Sequence, residues 1–158
     1  MREREDPNYR HMFDTLDRKI LSVLSRNSRL SFRKLSRIIG ISTSTLISRI
    51  ERLEKSGIIK KYTIITDHEK LGYDLEAIIE IVISKGKLLE TEKEIAKHNN
   101  VVAVYDITGE TDALVIAKFK SRKELNNFVK KLLSLPYVER TKTHLVLNTL
   151  KEDFTQLF

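Results

Sequence analysis

The sequence predicts an α+β chain in two parts, an N-terminal winged helix-turn-helix followed by a C-terminal βαββαβ ferredoxin-like sandwich. Three observations point there. Apolar residues recur at helical spacing through the first third, with stops at Gly40 and Gly57. Beyond position 73, strand-like and helix-like runs alternate. Charge is divided unequally: residues 1–65 carry 15 Lys/Arg against 7 Asp/Glu, a net +8, whereas residues 66–158 carry 14 against 15, a net −1.

Residues 1–13 read as an N-terminal arm in which basic and acidic residues alternate, unlike a signal peptide. From Asp14, Leu16, Ile20, Leu21, Val23 and Leu24 mark one face of a helix, with Asp14 or Thr15 as its N-cap. A second helix runs from about Ser31 to Ile39, with Phe32, Leu35, Ile38 and Ile39 expected inward, and Gly40 ends it. Ser42 caps a third helix to about Ser56, with Leu46, Ile50 and Leu53 inward and Gly57 as its stop. Ile58 to Ile65 is β-branched and reads as an extended wing, which completes a domain over 14–65. A polar joint at 66–73 leads into a second domain over 74–158.

In that second domain Leu75–Ser84 is strand-like and Leu88–His98 helical. Two strands, Val101–Thr108 and Ala113–Phe119, flank the turn Gly109-Glu110-Thr111-Asp112. A helix capped by Ser121 turns Leu125, Phe128, Val129, Leu132 and Leu133 inward and stops before Pro136. The last strand, Val138–Leu147, sets Thr141, Thr143, Leu145 and Leu147 against Arg140, Lys142, His144 and Val146. With both helices on one sheet face, the uncovered face carries enough Ile and Val to call for a second subunit.

Composition narrows the function. At 41% hydrophobic and 32% charged residues the chain can bury a core and stay in solution, and its apolar runs are far too short to span a membrane. Without Cys it has no disulfide framework, thiolate metal site or cysteine nucleophile. A cytoplasmic location is expected. His11, His68, His98 and His144 are scattered without ligand spacing, and no catalytic triad, phosphate-binding glycine loop or carboxylate pair stands out. Neither an enzyme nor a bound metal or cofactor is expected.

Two short helices around Gly40-Ile41-Ser42 form the helix-turn-helix, with the small Ser36 allowing them to cross closely. On the outward side of the third helix stand Ser42, Thr43, Ser44, Thr45, Ser48, Arg49 and Arg52. Short hydroxyls permit close approach to a groove, and arginines suit guanine or phosphate. Thr43, Ser44, Thr45 and Ser48 are therefore assigned to the major-groove edge. Arg33, Lys34 and Arg37 on the second helix, and Lys60 and Lys61 on the wing, are assigned to phosphates. The competing reading makes Ser42 a simple cap and pairs Arg49 and Arg52 with Glu51 or Glu54 on a solvated surface. The joint pattern favours double-stranded DNA.

With these residues in order, the chain resembles the Lrp/AsnC (feast/famine) transcriptional regulators. The likeness is carried by Leu16-Asp17, Ile20-Leu21, Asn27-Ser28-Arg29, Leu35-Ser36, Gly40-Ile41-Ser42, Arg49-Ile50, Leu53-Glu54 and Gly57-Ile58-Ile59-Lys60-Lys61-Tyr62. Val104, Gly109-x-x-Asp112 and Thr141-x-Thr143 extend it through the second half. The resemblance implies a ligand-binding RAM domain, dimers formed through its sheets and often gathered into octamers, and an amino-acid effector that alters assembly or DNA affinity. Such dimers are expected to bind half-sites about one helical turn apart, a pseudo-palindromic operator. Abundant Ile and a Lys/Glu-rich surface suit an archaeal source. Arg18, Thr43 and Thr111 depart from residues common in the family, and Thr111 would shape the effector's side-chain pocket.

The effector site is expected at Thr108, Gly109, Glu110, Thr111 and Asp112, together with Thr141 and Thr143. Asp112 can accept from an α-ammonium, while N–H groups of the glycine turn can donate to an α-carboxylate. By itself the same turn is an ordinary hairpin turn capped by Asp112. The alternative for the whole chain is an architectural DNA-coating protein with no small-molecule response.

Overall fold

A computed structural model describes residues 13–84 and 86–153. The N-terminal arm with Arg2, Arg4 and Arg10 lies outside the described residues, apart from Phe13. The chain divides into two compact units, one ending at Ile64 and the other spanning Ile65–Leu150. By this division Lys151 to Asp153 fall in the first unit.

The first unit is built from helices α1 (Thr15–Arg26), α2 (Phe32–Ile39) and α3 (Thr43–Lys55). Asp14 caps α1 in a reciprocal capping box: its Oδ1 accepts from the Asp17 N–H at 2.9 Å, and Asp17 Oδ2 accepts from the Asp14 N–H at 3.1 Å. Ser31 and Ser42 cap α2 and α3 through the N–H groups of Lys34 and Thr45. Gly40, at φ 84°, carries the chain through the turn, and the N–H groups of Gly40 and Ile41 both donate to the Ser36 carbonyl. Ile20, Leu21, Leu24, Leu35, Ile39, Leu46, Ile50 and Leu53 form the core of this unit.

One expectation about this unit changes. Phe32 and Ile38 are 45% and 52% exposed rather than inward, because α2 has only eight residues and turns just Leu35, Ser36 and Ile39 to the core. Among the described residues the Ile58–Ile65 run pairs with no strand. Its two faces are alike in hydrophobicity, and Ile64 and Ile65 are 78% and 79% exposed. Its anchors are the Ile59 N–H, donating to Leu53 O at 3.0 Å, and the Tyr62 hydroxyl, donating to Glu54 Oε1 at 2.8 Å. Partial burial and the nearby Glu54 carboxylate push the Tyr62 phenol up to about 12.

The second unit follows the expected order: β1 (Leu75–Ile83), α4 (Leu88–Ile95), β2 (Val101–Asp106), β3 (Ala113–Phe119), α5 (Arg122–Leu133) and β4 (Val138–Leu145). The strands form one antiparallel sheet in the order β2-β3-β1-β4. Ala77, Ile79, Ile81 and Ile83 of β1, with Ala113, Val115, Ala117 and Phe119 of β3, form the buried face. Ile95 of α4 and Leu125, Phe128 and Leu132 of α5 pack against it. Leu133, expected inward, is 50% exposed. β4 stops at Leu145, so Leu147 lies beyond the sheet and is almost fully exposed.

Among the described residues no helix covers the other sheet face. Register places Glu80 between Leu114 and Lys142, and Ile78 between Ile116 and His144. Ile78, Val82, Leu114 and Ile116 remain half-exposed there, and Tyr105 is 44% exposed. No helix among the described residues is long and apolar enough to cross a membrane.

Candidate nucleic-acid interface and ligand pocket

The start of α3 is a hydroxyl cluster. Ser42 Oγ lies 2.9 Å from Ser44 Oγ and 2.7 Å from Thr45 Oγ1, and Thr43 Oγ1 lies 3.1 Å from Ser36 Oγ on α2. Ser36 is buried, so its small side chain permits the crossing and also ties the two helices by a hydrogen bond. Ser42, Thr43, Ser44, Thr45 and Ser48 are all exposed, as are Arg33, Lys34 and Arg37 on α2 and Lys60 and Lys61 beyond α3. Among the described residues, none of these five basic side chains forms an ion pair. Their charge is free to meet phosphates.

Arg49 and Arg52 are placed differently from the sequence reading. Both reach back to α1 instead of pairing with Glu51 or Glu54. Arg49 Nη1 donates to Asp14 Oδ2 at 2.7 Å and to Asp17 Oδ1 at 2.9 Å, and Arg52 Nη2 donates to Asp17 Oδ2 at 2.5 Å. The Asp17 side chain is fully buried, while those of Arg49 and Arg52 keep 24% and 36% of their exposure. The Arg49 hydrogen bond holds Asp14 below the usual carboxylate range, and Asp14 in turn raises Arg49. The two guanidiniums therefore fix α3 on the N-terminus of α1, which uses hydrogen-bonding capacity that a base edge would need. Helical periodicity places Arg49 and Arg52 one turn apart but cannot show that a carboxylate more than thirty residues earlier receives them.

In the second unit, the predicted effector turn crosses the end of the sheet. Gly109 adopts φ 134°, which favours glycine. Asp112 is partly engaged: its Oδ2 accepts from the Ile83 N–H at 2.8 Å, its N–H donates to Ile81 O, and its carbonyl accepts from the Ile107 N–H. The Ile83 bond lies where the β1–β4 register shifts between Val82 and Ile83, so Asp112 holds the end of β1. One such bond leaves lone pairs of the carboxylate available.

A pocket of about 280 Å³ opens beside the turn, lined by Glu80, Val82, Glu110, Thr111, Arg140, Thr141 and Lys142. It unites Glu110, Thr111 and Thr141 from the expected site. Thr108, Gly109, Asp112 and Thr143 are not in its lining. Glu80, Val82, Arg140 and Lys142 were not assigned from the sequence, although strand alternation sets Arg140 and Lys142 opposite the threonines. Glu80 Oε1 also lies 3.0 Å from His144 Nε2.

Residues 76–156 match the Lrp/AsnC ligand binding domain, and residues 13–60 match a winged helix-turn-helix DNA-binding domain. The chain belongs to the Lrp/AsnC family. It is a transcriptional regulator of that family, with a helix-turn-helix DNA-binding unit joined to the family's ligand-binding domain. An uncharacterised HTH-type transcriptional regulator of Pyrococcus horikoshii is 48% identical over 141 residues, covering 89% of this chain and 95% of that protein. The HTH-type transcriptional regulator FL11 of the same organism is 41% identical over 139 residues, covering 88% and 92%. Among solved structures, a Neisseria meningitidis transcriptional regulator in complex with L-methionine has 32% identity and a TM-score of 0.82, covering 90% of this chain and 94% of that one. LrpC of Bacillus subtilis has 29% identity and a TM-score of 0.79, covering 89% and 98%. The archaeal relatives agree with the source suggested by composition.

Proposed function

We propose that this Lrp/AsnC regulator binds pseudo-palindromic operator DNA as a dimer, which gathers into a larger assembly, and that an amino acid bound at the β1–β4 pocket alters that assembly. The DNA arm of the proposal is carried by the exposed hydroxyl cluster at the start of α3 beside Arg33, Lys34 and Arg37, which are exposed and form no ion pair among the described residues. The helix N-terminus meets the bases, and the cations of α2 flank it on the phosphates. The protein acts by binding rather than catalysis, without a resident metal or cofactor, in the cytoplasm.

For assembly, the open sheet face offers Ile78, Val82, Leu114, Ile116 and Tyr105 to a second subunit. Glu80 and Val82 belong to both that face and the pocket. A ligand that contacts them differently in two assembly states shifts the balance between those states. The Neisseria relative holding L-methionine supports an amino acid as that ligand.

Screening the twenty amino acids by thermal shift, with light scattering in parallel, tests this reading. At least one should raise the unfolding midpoint, as a ligand specific to the native state must, and change the scattering mass. If none affects either signal, the effector reading fails.

The inward placement of Arg49 and Arg52 favours a second reading. With fewer groups left for base edges, α3 would read sequence weakly, and the protein would coat DNA as an architectural component. Competition between operator and random duplex at one salt concentration separates the two readings.

A further inference from the structure

We infer that the pocket beside the Glu110 turn selects an amino acid with a hydrogen-bonding or ionised side chain over one with an aliphatic or thioether side chain. This inference rests on the effector reading above and adds the ligand's chemical class.

Four of the seven lining residues are ionisable: Glu80 and Glu110 are acidic, Arg140 and Lys142 basic. Thr111 of the turn adds a hydroxyl-bearing residue, and Val82 is the one apolar side chain in the lining. The α-carboxylate and α-ammonium of any amino acid satisfy one cation and one carboxylate. That leaves a second cation and a second carboxylate facing the ligand's side chain. Glu80 already has His144 at 3.0 Å, so Glu110, with no ion pair among the described residues, is the less satisfied acid.

A leucine or methionine side chain would cover these groups with hydrocarbon, removing water without returning a partner. A side chain carrying an amide, carboxylate, ammonium or guanidinium replaces that water with direct hydrogen bonds. The volume, about 280 Å³, is near the lower end of roughly 300–1,000 Å³ for small-molecule pockets and suits a single amino acid. Because the walls are partly exposed, the discrimination is smaller than at a fully buried site, on the order of tenfold.

The test is calorimetric titration of the full chain with L-lysine, L-arginine, L-glutamate and L-glutamine as polar probes and L-leucine and L-methionine as apolar ones. At least one polar probe should bind about tenfold more tightly than either apolar probe. At least one of Arg140→Ala and Lys142→Ala, the one that removes the cation on the α-carboxylate, should weaken that probe about tenfold while the unfolding midpoint stays near that of the parent. Two variants are used so that loss of folding in one leaves the other informative. Tighter binding of methionine or leucine than of every polar probe overturns the inference and leaves the effector reading intact. Undiminished polar binding in both variants places the ligand outside this pocket and also overturns it. Failure of all twenty amino acids to bind removes both the inference and the effector reading.

Discussion

Replacing Asp17 with alanine is expected to destabilise the N-terminal unit by about 3 kcal/mol. The Asp17 carboxylate has no solvent exposure and accepts from Arg49, Arg52 and the Asp14 N–H. Its removal leaves Arg52 without its counter-charge and Arg49 with Asp14 alone, and it breaks the capping box of α1. For a unit of about sixty residues, each kcal/mol lowers the midpoint by roughly 4–8 °C, so calorimetry should show a fall greater than about 10 °C. Arg52→Ala should cost less, about 1–2 kcal/mol, because its side chain is 36% exposed and Asp17 keeps Arg49. DNA affinity should fall with the fold in Asp17→Ala, for operator and random duplex alike. A midpoint within about 2 °C of the parent would show that the cluster does not hold α3 in place.

The contrast between Asp17 and Arg49 shows what could be read in advance. Caps, stops and core stripes are local, so Ser31, Gly40, Ser42 and Gly57 mark the helices where the chain forms them. The order of strands and helices after position 73 likewise follows from periodicity, and the sheet topology from the βαββαβ pattern. The destination of a long side chain is not local. Arg49 directly precedes Ile50 of the core stripe, and only the packing of α1 on α3 shows that its guanidinium turns inward. Ile58–Ile65 has strand composition, but a strand needs a partner and the described residues supply none there. At the proposed ligand pocket the turn at Gly109 was legible, whereas the wall formed by Glu80, Arg140 and Lys142 depends on which face of β1 and β4 meets it.

The second large effect is expected on DNA. Neutralising Arg33, Lys34 and Arg37 together as alanines should lower affinity on the order of a hundredfold near 0.1 M salt. The slope of log affinity against log salt should flatten by about 3, since each phosphate left without its cation accounts for roughly 0.9. Because these residues are exposed and form no ion pair among the described residues, the unfolding midpoint should barely change. The weakening should be alike for operator and random duplex, since phosphates carry no base identity. Titrations at four or more salt concentrations on both duplexes read all of these outcomes. An unchanged slope would remove α2 from the phosphate-facing surface and require another part of the protein to face DNA.

The central claim is that the start of α3 enters the major groove as part of a symmetric assembly. Hydroxyl-radical footprinting on selected operator DNA tests it most directly, comparing the parent protein with Ser44→Glu and, separately, Ser48→Glu. A carboxylate at either exposed position would face the bases and phosphates at close range. The account predicts paired protections about one helical turn apart for the parent, and their loss in both variants at protein concentrations that saturate the parent site. Paired protections that persist unchanged in both folded variants would contradict it, because a groove occupied by these serines cannot accept a negative charge there without cost.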